Sequence, residues 1–319
     1  MAYVDVFNGD ADGICALQQL RLAEPRASTL VTGVKRDIAL LGRVDAGDGD
    51  AVTVLDVSLD KNRTALLDLL GRGARVTYFD HHYPGEIPQH DGLDAHIETH
   101  PDKGTSLLVD EYLGGRYRAW AVVGTFGDNF DASARRAAAS LNLKETDVLS
   151  LRELGICLNY NGYGPRIEDL HFPPDQLYRR VAPYRDPLDF IAGDDVFQAL
   201  RQGYAEDMAR AAALCPEIET PTHGLYVLPD RPWARRVSGV LANDLAQAAP
   251  ARAHALLTRL PGDGFLVSVR APVARPEGAD ALCREFPGGG GRKAAAGINE
   301  LSEATYDAFV ERFLAAFRS

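Results

Sequence analysis

Acidic and imidazole side chains recur in this sequence at one kind of place, directly after short apolar runs. Asp10 and Asp12 stand in Asn8-Gly9-Asp10-Ala11-Asp12-Gly13, behind the run Tyr3 to Phe7. Asp56 follows Val52 to Leu55, and Asp80, His81 and His82 follow Arg75 to Phe79. Carboxylates gathered at one spot repel one another unless cations lie among them. Carboxylate oxygens with one or two imidazoles suit Mn²⁺ or Mg²⁺, and the lack of thiolate disfavours a structural zinc site. Each piece has a plainer reading on its own. Asp-x-Asp-Gly is a common turn, an aspartate behind a strand often caps a helix, and a His-His pair is frequently surface or core. Recurrence behind three strand candidates is what points to a metal centre.

The elements that must position these groups follow from the pattern around them. Tyr3 to Phe7, Thr29 to Val34, Ala51 to Leu55 and Arg75 to Phe79 read as strands, and Gly13 to Ala23 and Lys61 to Leu70 as helices. Buried strands alternating with helices indicate an α/β layer built on a parallel sheet. In such a sheet the carboxyl ends of the strands form the ligand crevice. From Gly104 to Gln202 the pattern is mainly helical, although Pro173, Pro174, Pro183 and Pro187 break it between His171 and Gly193. A helix is expected from Asp194 to about Leu214, and Pro216 and Pro221 then punctuate the chain. A smaller α/β unit follows: a strand from His223 to Leu228, a helix from Ser238 to Ala248, and a hairpin pairing Ala253 to Leu260 with Phe265 to Arg270 around Pro261-Gly262-Asp263-Gly264. The glycine run Gly288 to Gly291 reads as a loop, and Glu303 to Phe317 as an amphipathic helix. The expected division is a catalytic domain with a helical insertion over 1–193, a linking helix and connection over 194–220, and a second domain over 221–319.

The chain has 319 residues and a formal net charge of −11. A protein that grips long nucleic acid usually carries a basic face, so a long duplex partner is disfavoured, whereas a few local cations suffice for a small phosphorylated substrate. Cys15, Cys157, Cys215 and Cys283 are scattered without a paired spacing, which suggests neither a zinc site nor a disulfide framework. No basic stretch precedes an apolar run at the N-terminus and no apolar segment reaches membrane-spanning length, so a cytoplasmic protein is expected, with no membrane partner. Lys35 and Arg36 follow a strand; they could reach a phosphate, but a solvated surface pair is the plainer reading. Asn159 to Gly164 reads as a turn, with a lining of a nucleobase pocket through its tyrosines as the alternative.

Taken together these residues resemble the DHH phosphoesterase superfamily. Asp80-His81-His82 matches the motif that names it, Asp10-x-Asp12-Gly13 its first motif, Asp56 in Val-Leu-Asp-Val its second, and Asp128 in Gly124-Thr125-Phe126-Gly127-Asp128 its fourth. Val267 to Arg270 resembles the phosphate-binding strand of the DHH-associated domain, and Gly289-Gly290-Gly291-Arg292-Lys293 its glycine-rich loop. The sequence departs at Val6, where many members carry a metal-binding histidine; at Asn8, where RecJ-like exonucleases have an aspartate; and at Arg292, where a histidine is usual. The first two departures imply fewer protein ligands and weaker binding for one ion. A guanidinium at 292 can fork onto a phosphate where an imidazole could not.

The resemblance implies two divalent ions, Mn²⁺ first with Mg²⁺ or Co²⁺ as alternatives. By it, Asp56 bridges both ions, Asp10 helps hold one, and Asp12, His81 and Asp128 complete the other. Asp80 is a weak metal ligand or stands behind the ligands and orients its neighbours, and His82 contacts the phosphate or the leaving oxygen. A metal-bridging hydroxide is the implied nucleophile. Arg270, Gly289, Gly290, Gly291, Arg292 and Lys293 are the implied substrate contacts. The expected function is hydrolysis of phosphodiester or phosphomonoester bonds in short oligonucleotides or small nucleotides. The alternatives are a RecJ-type single-strand exonuclease and a pyrophosphatase or polyphosphatase.

Overall fold

Alternation in the first apolar run decides how the first strand is buried. In β1 (Tyr3–Asn8), Val4 and Val6 face one way into a cluster with Val52, Val54, Val76 and the leucines 66, 69 and 70. Phe7 faces the other way and packs with Leu17, Leu55, Phe79, Trp120 and Phe126. A strand buried on both faces belongs inside a sheet covered by helices on each side. The computed structural model describes residues 1–318 and shows this arrangement. The chain separates into two units, Met1–Gly203 and the part from Tyr204 onward.

In the first unit β1 leads to α1 (Ala11–Ala23), β2 (Thr29–Gly33), β3 (Ala51–Leu55), α2 (Leu59–Gly71), β4 (Arg75–Asp80) and β5 (Leu93–Ile97). The five strands are all parallel, in the order β2-β1-β3-β4-β5. The chain moves outward one way from β1 to β2 and the other way from β3 to β5. The crevice of such a sheet opens between β1 and β3, outside the carboxyl ends of the strands. β5 has no apolar run: Leu93-Asp94-Ala95-His96-Ile97 is an edge strand, half-buried or exposed along its length. Sequence periodicity therefore does not announce it.

Helices complete the unit: α3 (Thr105–Tyr112), α4 (Arg118–Gly127), α5 (Asp131–Ala139), α6 (Glu145–Gly162), α7 (Pro174–Val181) and α8 (Pro187–Gly193), with α9 (Asp195–Ala212) crossing into the second unit. Two of the prolines taken as breaks are helix starts. Pro174 and Pro187 stand in the first turns of α7 and α8, where a missing N–H costs nothing. Asp186 caps the second of these by accepting from the Leu188 N–H (2.8 Å). Asn159 to Gly162 form the last turn of α6 rather than a separate turn.

The second unit holds β6 (Ile218–Glu219), β7 (His223–Leu228), α10 (Pro232–Ala248), β8 (Ala253–Arg259), β9 (Gly264–Arg270), α11 (Ala279–Arg284), β10 (Gly289–Arg292), β11 (Ala295–Ser302) and α12 (Tyr306–Ala316). Its sheet runs β10-β11-β9-β8-β7-β6, with β7 and β8 parallel and the other neighbours antiparallel. Phe309, Phe313 and Phe317 pack on one face of it with Leu257, Val267 and Ile298. The glycine run is not a loop. Gly289 to Arg292 pair with Ala295 to Ile298 as an edge strand, and the turn lies at Lys293 and Ala294. The whole is an α/β protein with a parallel-sheet first unit and a smaller mixed α/β second unit. Among the described residues no helix is long and apolar enough to cross a membrane.

Candidate metal centre

Asp10 closes the turn between β1 and α1. Its Oδ1 accepts from the backbone N–H of Asp12 and of Gly13 (3.1 Å each), so it is the N-cap of α1. A cap of this kind stabilises a helix by about 0.5–2 kcal/mol. Its Oδ2 points away from the helix, onto the ammonium of Lys35. Asp12, two residues further, is fully buried and held by the start of α3. The Thr105 N–H donates to its Oδ2 (2.6 Å), and the Ser106 N–H (2.9 Å) and hydroxyl donate to its Oδ1. The free N–H groups of a helix start favour a carboxylate there.

Asp56 leaves β3 with a left-handed backbone, φ 58°. Few residues accept this region, but aspartate is among them. The turn is locked by the Asp56 N–H donating to the Phe79 carbonyl (3.0 Å) and by the Thr105 hydroxyl donating to Asp56 Oδ1 (3.1 Å). His81 Nε2 lies 3.4 Å from Asp56 Oδ1 and 3.8 Å from Asp128 Oδ2. Asp128 ends α4, its N–H donating to the Gly124 carbonyl (3.1 Å). Asp80 accepts on Oδ1 from the His81 N–H (2.9 Å) and lies 2.7 Å from His82 Nδ1. Its buried Oδ2 has no hydrogen-bond partner. The His82 side chain is 43% exposed, and its Nδ1 lies 4.0 Å from Asp56 Oδ1.

Two sets of side chains converge closely enough to share an ion: Asp12, His81 and Asp128, and Asp56, His81 and His82, with the ligand atoms of each set within 4.8 Å of one another. The electrostatics of the cluster favour a cation. Burial, then the charge of Asp128, pushes the Asp12 carboxyl up to about 6. Burial with the charges of Asp10 and Asp12 holds Asp56 well above the usual carboxylate range. Burial alone would lower His81, but its hydrogen bond to Asp56 and the charges of Asp56, Asp12 and Asp128 outweigh it and push the imidazole up to about 10. His82 is likewise raised, because the hydrogen bond to Asp80 and the charge of Asp56 outweigh its desolvation. An oxygen-rich set with one imidazole, an excess of buried carboxylate and an orphaned carboxylate oxygen beside it fits a hard divalent ion.

The second unit gathers the remaining sequence-picked residues. Ala295 is the register partner of both Arg270 and Arg292, so these three residues lie in one row across β9, β11 and β10. Directly paired residues share a face, and two strand spacings separate the arginines by about 10 Å. Arg270 donates to Asn243 Oδ1 (2.8 Å), while Arg292 and Lys293 are exposed.

No family model matches the sequence, and no curated protein matches it. Solved structures do. The manganese-bound exonuclease RecJ is similar with a TM-score of 0.68 at 20% identity, over 98% of this chain and 89% of that one. The DHH domain of a member of the s1p family of ribosomal proteins is similar at 0.63 and 15% identity, over 98% and 86%. A pGpG-specific phosphodiesterase, PggH from Vibrio cholerae, is similar at 0.56 and 14%, over 99% and 100%.

The chain has the fold of RecJ and of that DHH domain.

Within the DHH fold, three features of the centre are not foreseen from sequence. Arg36 is exposed, but Lys35 is no solvated surface residue. Its ammonium meets Asp10, Asp128 Oδ1 (2.8 Å) and Asn159 Oδ1 (2.9 Å). Burial alone would lower the lysine, yet the charges of Asp10 and Asp128 hold it well above its ordinary value. Asp10 correspondingly lies below its ordinary range: burial raises it, but the charge and hydrogen bond of Lys35 outweigh that. Asn159, at the end of α6, and Thr105 and Ser106, at the start of α3, are the other two. Gly104-Thr105-Ser106 ahead of an apolar run signals a helix start, but nothing local ties it to Asp12, ninety-three residues away. Asn8, at the position where RecJ-like exonucleases have an aspartate, donates its amide N–H to the Lys35 carbonyl (3.3 Å).

Proposed function

We propose that this chain is a metal-dependent phosphoesterase that hydrolyses short oligonucleotides or small nucleotides. The observation that carries the reading is the convergence of Asp12, His81 and Asp128, with Asp56 beside them, at the carboxyl edge of a parallel sheet. Asp12, Asp56, His81 and Asp128 are the residues that would hold the ion, with manganese favoured because RecJ of the same fold carries it. A bound divalent ion supplies an acidified water and neutralises charge on a phosphoryl oxygen. Asp80 orders the two histidines by accepting from one backbone N–H and one imidazole. With Nδ1 turned to Asp80, His82 offers Nε2 outward. An imidazole raised above its ordinary value holds a proton more readily and can donate it to a phosphate or leaving-group oxygen. In the second unit, Arg270, Arg292 and Lys293, with the backbone of Gly289 to Gly291, are assigned to the phosphates of the substrate.

A small substrate is supported by two features. A net charge of −11 opposes long polyanions. The pGpG-specific phosphodiesterase, aligned over its whole length, acts on a dinucleotide. The deciding experiment compares a dinucleotide, a long single strand and pyrophosphate side by side with Mn²⁺ after metal stripping. Turnover of the dinucleotide that vanishes on chelation and returns with Mn²⁺ is expected. Full hydrolysis by the stripped protein refutes the metal dependence, and preference for the long strand refutes the substrate class.

A further inference from the structure

Lys35 stands where a second cation is expected. Its ammonium has three N–H donors, and three acceptors meet it: Asp10, Asp128 and Asn159. The lysine is tied down at its backbone as well. Its N–H donates to the Gly162 carbonyl (2.8 Å) at the end of α6, and its carbonyl accepts from Asn8. Only 23% of the side chain is exposed. Both oxygens of Asp10 already have partners. Oδ1 caps α1 and Oδ2 accepts from Lys35. Val6, the position that could have added an imidazole, is fully buried in the apolar layer with Val52 and Val54.

We propose that Lys35 replaces one divalent ion, so that the centre holds a single ion at Asp12, Asp56, His81 and Asp128, with the ammonium as a fixed second cation at Asp10. This rests on the metal-dependent reading above and refines it. Asp10, Asp12, Asp56 and Asp128 bring four negative charges when ionised, and one dication with one ammonium offsets three of them. A second dication at Asp10 would have to displace the ammonium or sit against it, and like charges in so buried a place repel strongly. A tethered ammonium also needs no uptake from solution, so the response of turnover to metal concentration should follow a single-site curve.

The test counts ions. Metal-stripped full-length protein is dialysed against Mn²⁺, bound manganese is measured per chain, and the same samples are examined by electron paramagnetic resonance. The expected result is one ion per chain with the spectrum of an isolated Mn²⁺. Lys35→Ala should take up a second ion, show the lines of a spin-coupled pair, and need more Mn²⁺ for turnover. Two coupled ions in the unaltered protein would overturn the proposal and leave the phosphoesterase reading standing. One ion in both proteins would also overturn it, because something other than Lys35 would then exclude the second. No bound ion and no hydrolysis would overturn both readings. If Lys35→Ala does not fold, the count and spectrum of the unaltered protein still decide between one ion and two.

Discussion

At the scale of single residues, Asp56 combines a chemical and a conformational demand. Its backbone is left-handed, its carboxylate is buried, and both Thr105 and His81 are turned to it. Asparagine tolerates the same backbone region, whereas alanine is strained there by about 1–2 kcal/mol. Asp56→Asn therefore separates charge from conformation. It should cut turnover with Mn²⁺ by at least about 100-fold, the scale of losing one preorganised electrostatic group. In the metal-free protein the same change should hold or raise Tm. Burial and the neighbouring aspartates raise the Asp56 carboxyl in the fold, so its ionisation near neutrality works against folding. Thermal unfolding in chelator beside turnover in Mn²⁺ checks both halves. Near-normal turnover by folded Asp56→Asn would misplace the centre. Arg292→Ala tests a different role: an exposed guanidinium on the β10 edge. A higher KM for a short phosphorylated substrate, with unchanged Mn²⁺ affinity, is expected. A loss of bound metal would place that residue in folding instead.

At the scale of elements, the site depends on how closely chain segments approach. A Cβ at position 13 would stand 2.2 Å from the Asn8 carbonyl oxygen and 2.9 Å from the Asn8 nitrogen, both backbone atoms that cannot swing aside. Gly13→Ala must therefore push α1 away from the end of β1, carrying Asp10 and Asp12 with it. Overpacking of this kind costs about 1–3 kcal/mol, so a lower denaturant midpoint and weakened Mn²⁺ binding should appear together. In the second unit β8 places His254 in the sheet beside Arg252, with Nδ1 unpaired. Burial, then the charge of Arg252, depresses this imidazole to about 4. The unfolded chain thus binds a proton that the folded one refuses. Stability contributed by the neutral ring is complete above the unfolded value near 6.5 and is lost as pH falls from there towards 4. His254→Gln should flatten that part of the pH profile of unfolding, measured by denaturant melts between pH 7 and pH 4. An unchanged slope would mean the ring is protonated in the fold.

At the scale of the whole molecule, a ligand that binds only the folded state stabilises it by mass action. Mn²⁺ at a hundredfold excess over its Kd adds about 2.7 kcal/mol. All the residues assigned to the ion lie in Met1–Gly203. Hydrogen exchange with and without Mn²⁺ should therefore show new protection at β1, the start of α1, the start of α3 and the end of α4, and none in α12. Protection spread evenly over both units would contradict an ion held by the first unit alone.

Much of this architecture is legible in the linear chain, because its signals are local. Apolar runs ending in Asp10, Asp56 and Asp80 mark parallel strands by composition, and the acids fall where such strands end for the reader of residues alone. The Pro261 to Gly264 turn similarly places the β8–β9 hairpin between two apolar runs. Other features depend on what neighbours in space supply. β5 has too little apolar surface to show a period and exists because β4 offers it an open edge. The glycine run becomes a strand because β11 pairs with it, although glycine has no strand preference of its own. Asp12 could be seen as an acid near a strand end, but that the start of α3 clasps it could not. Lys35 looks solvated beside Arg36, and becomes part of the centre only when the β1–α1 turn, α4 and α6 bring Asp10, Asp128 and Asn159 around it, from 25, 93 and 124 residues away. Residue type and local period determine which groups could bind a metal; tertiary packing alone decides which cation each carboxylate meets, because charge acts through distance in space and not along the chain.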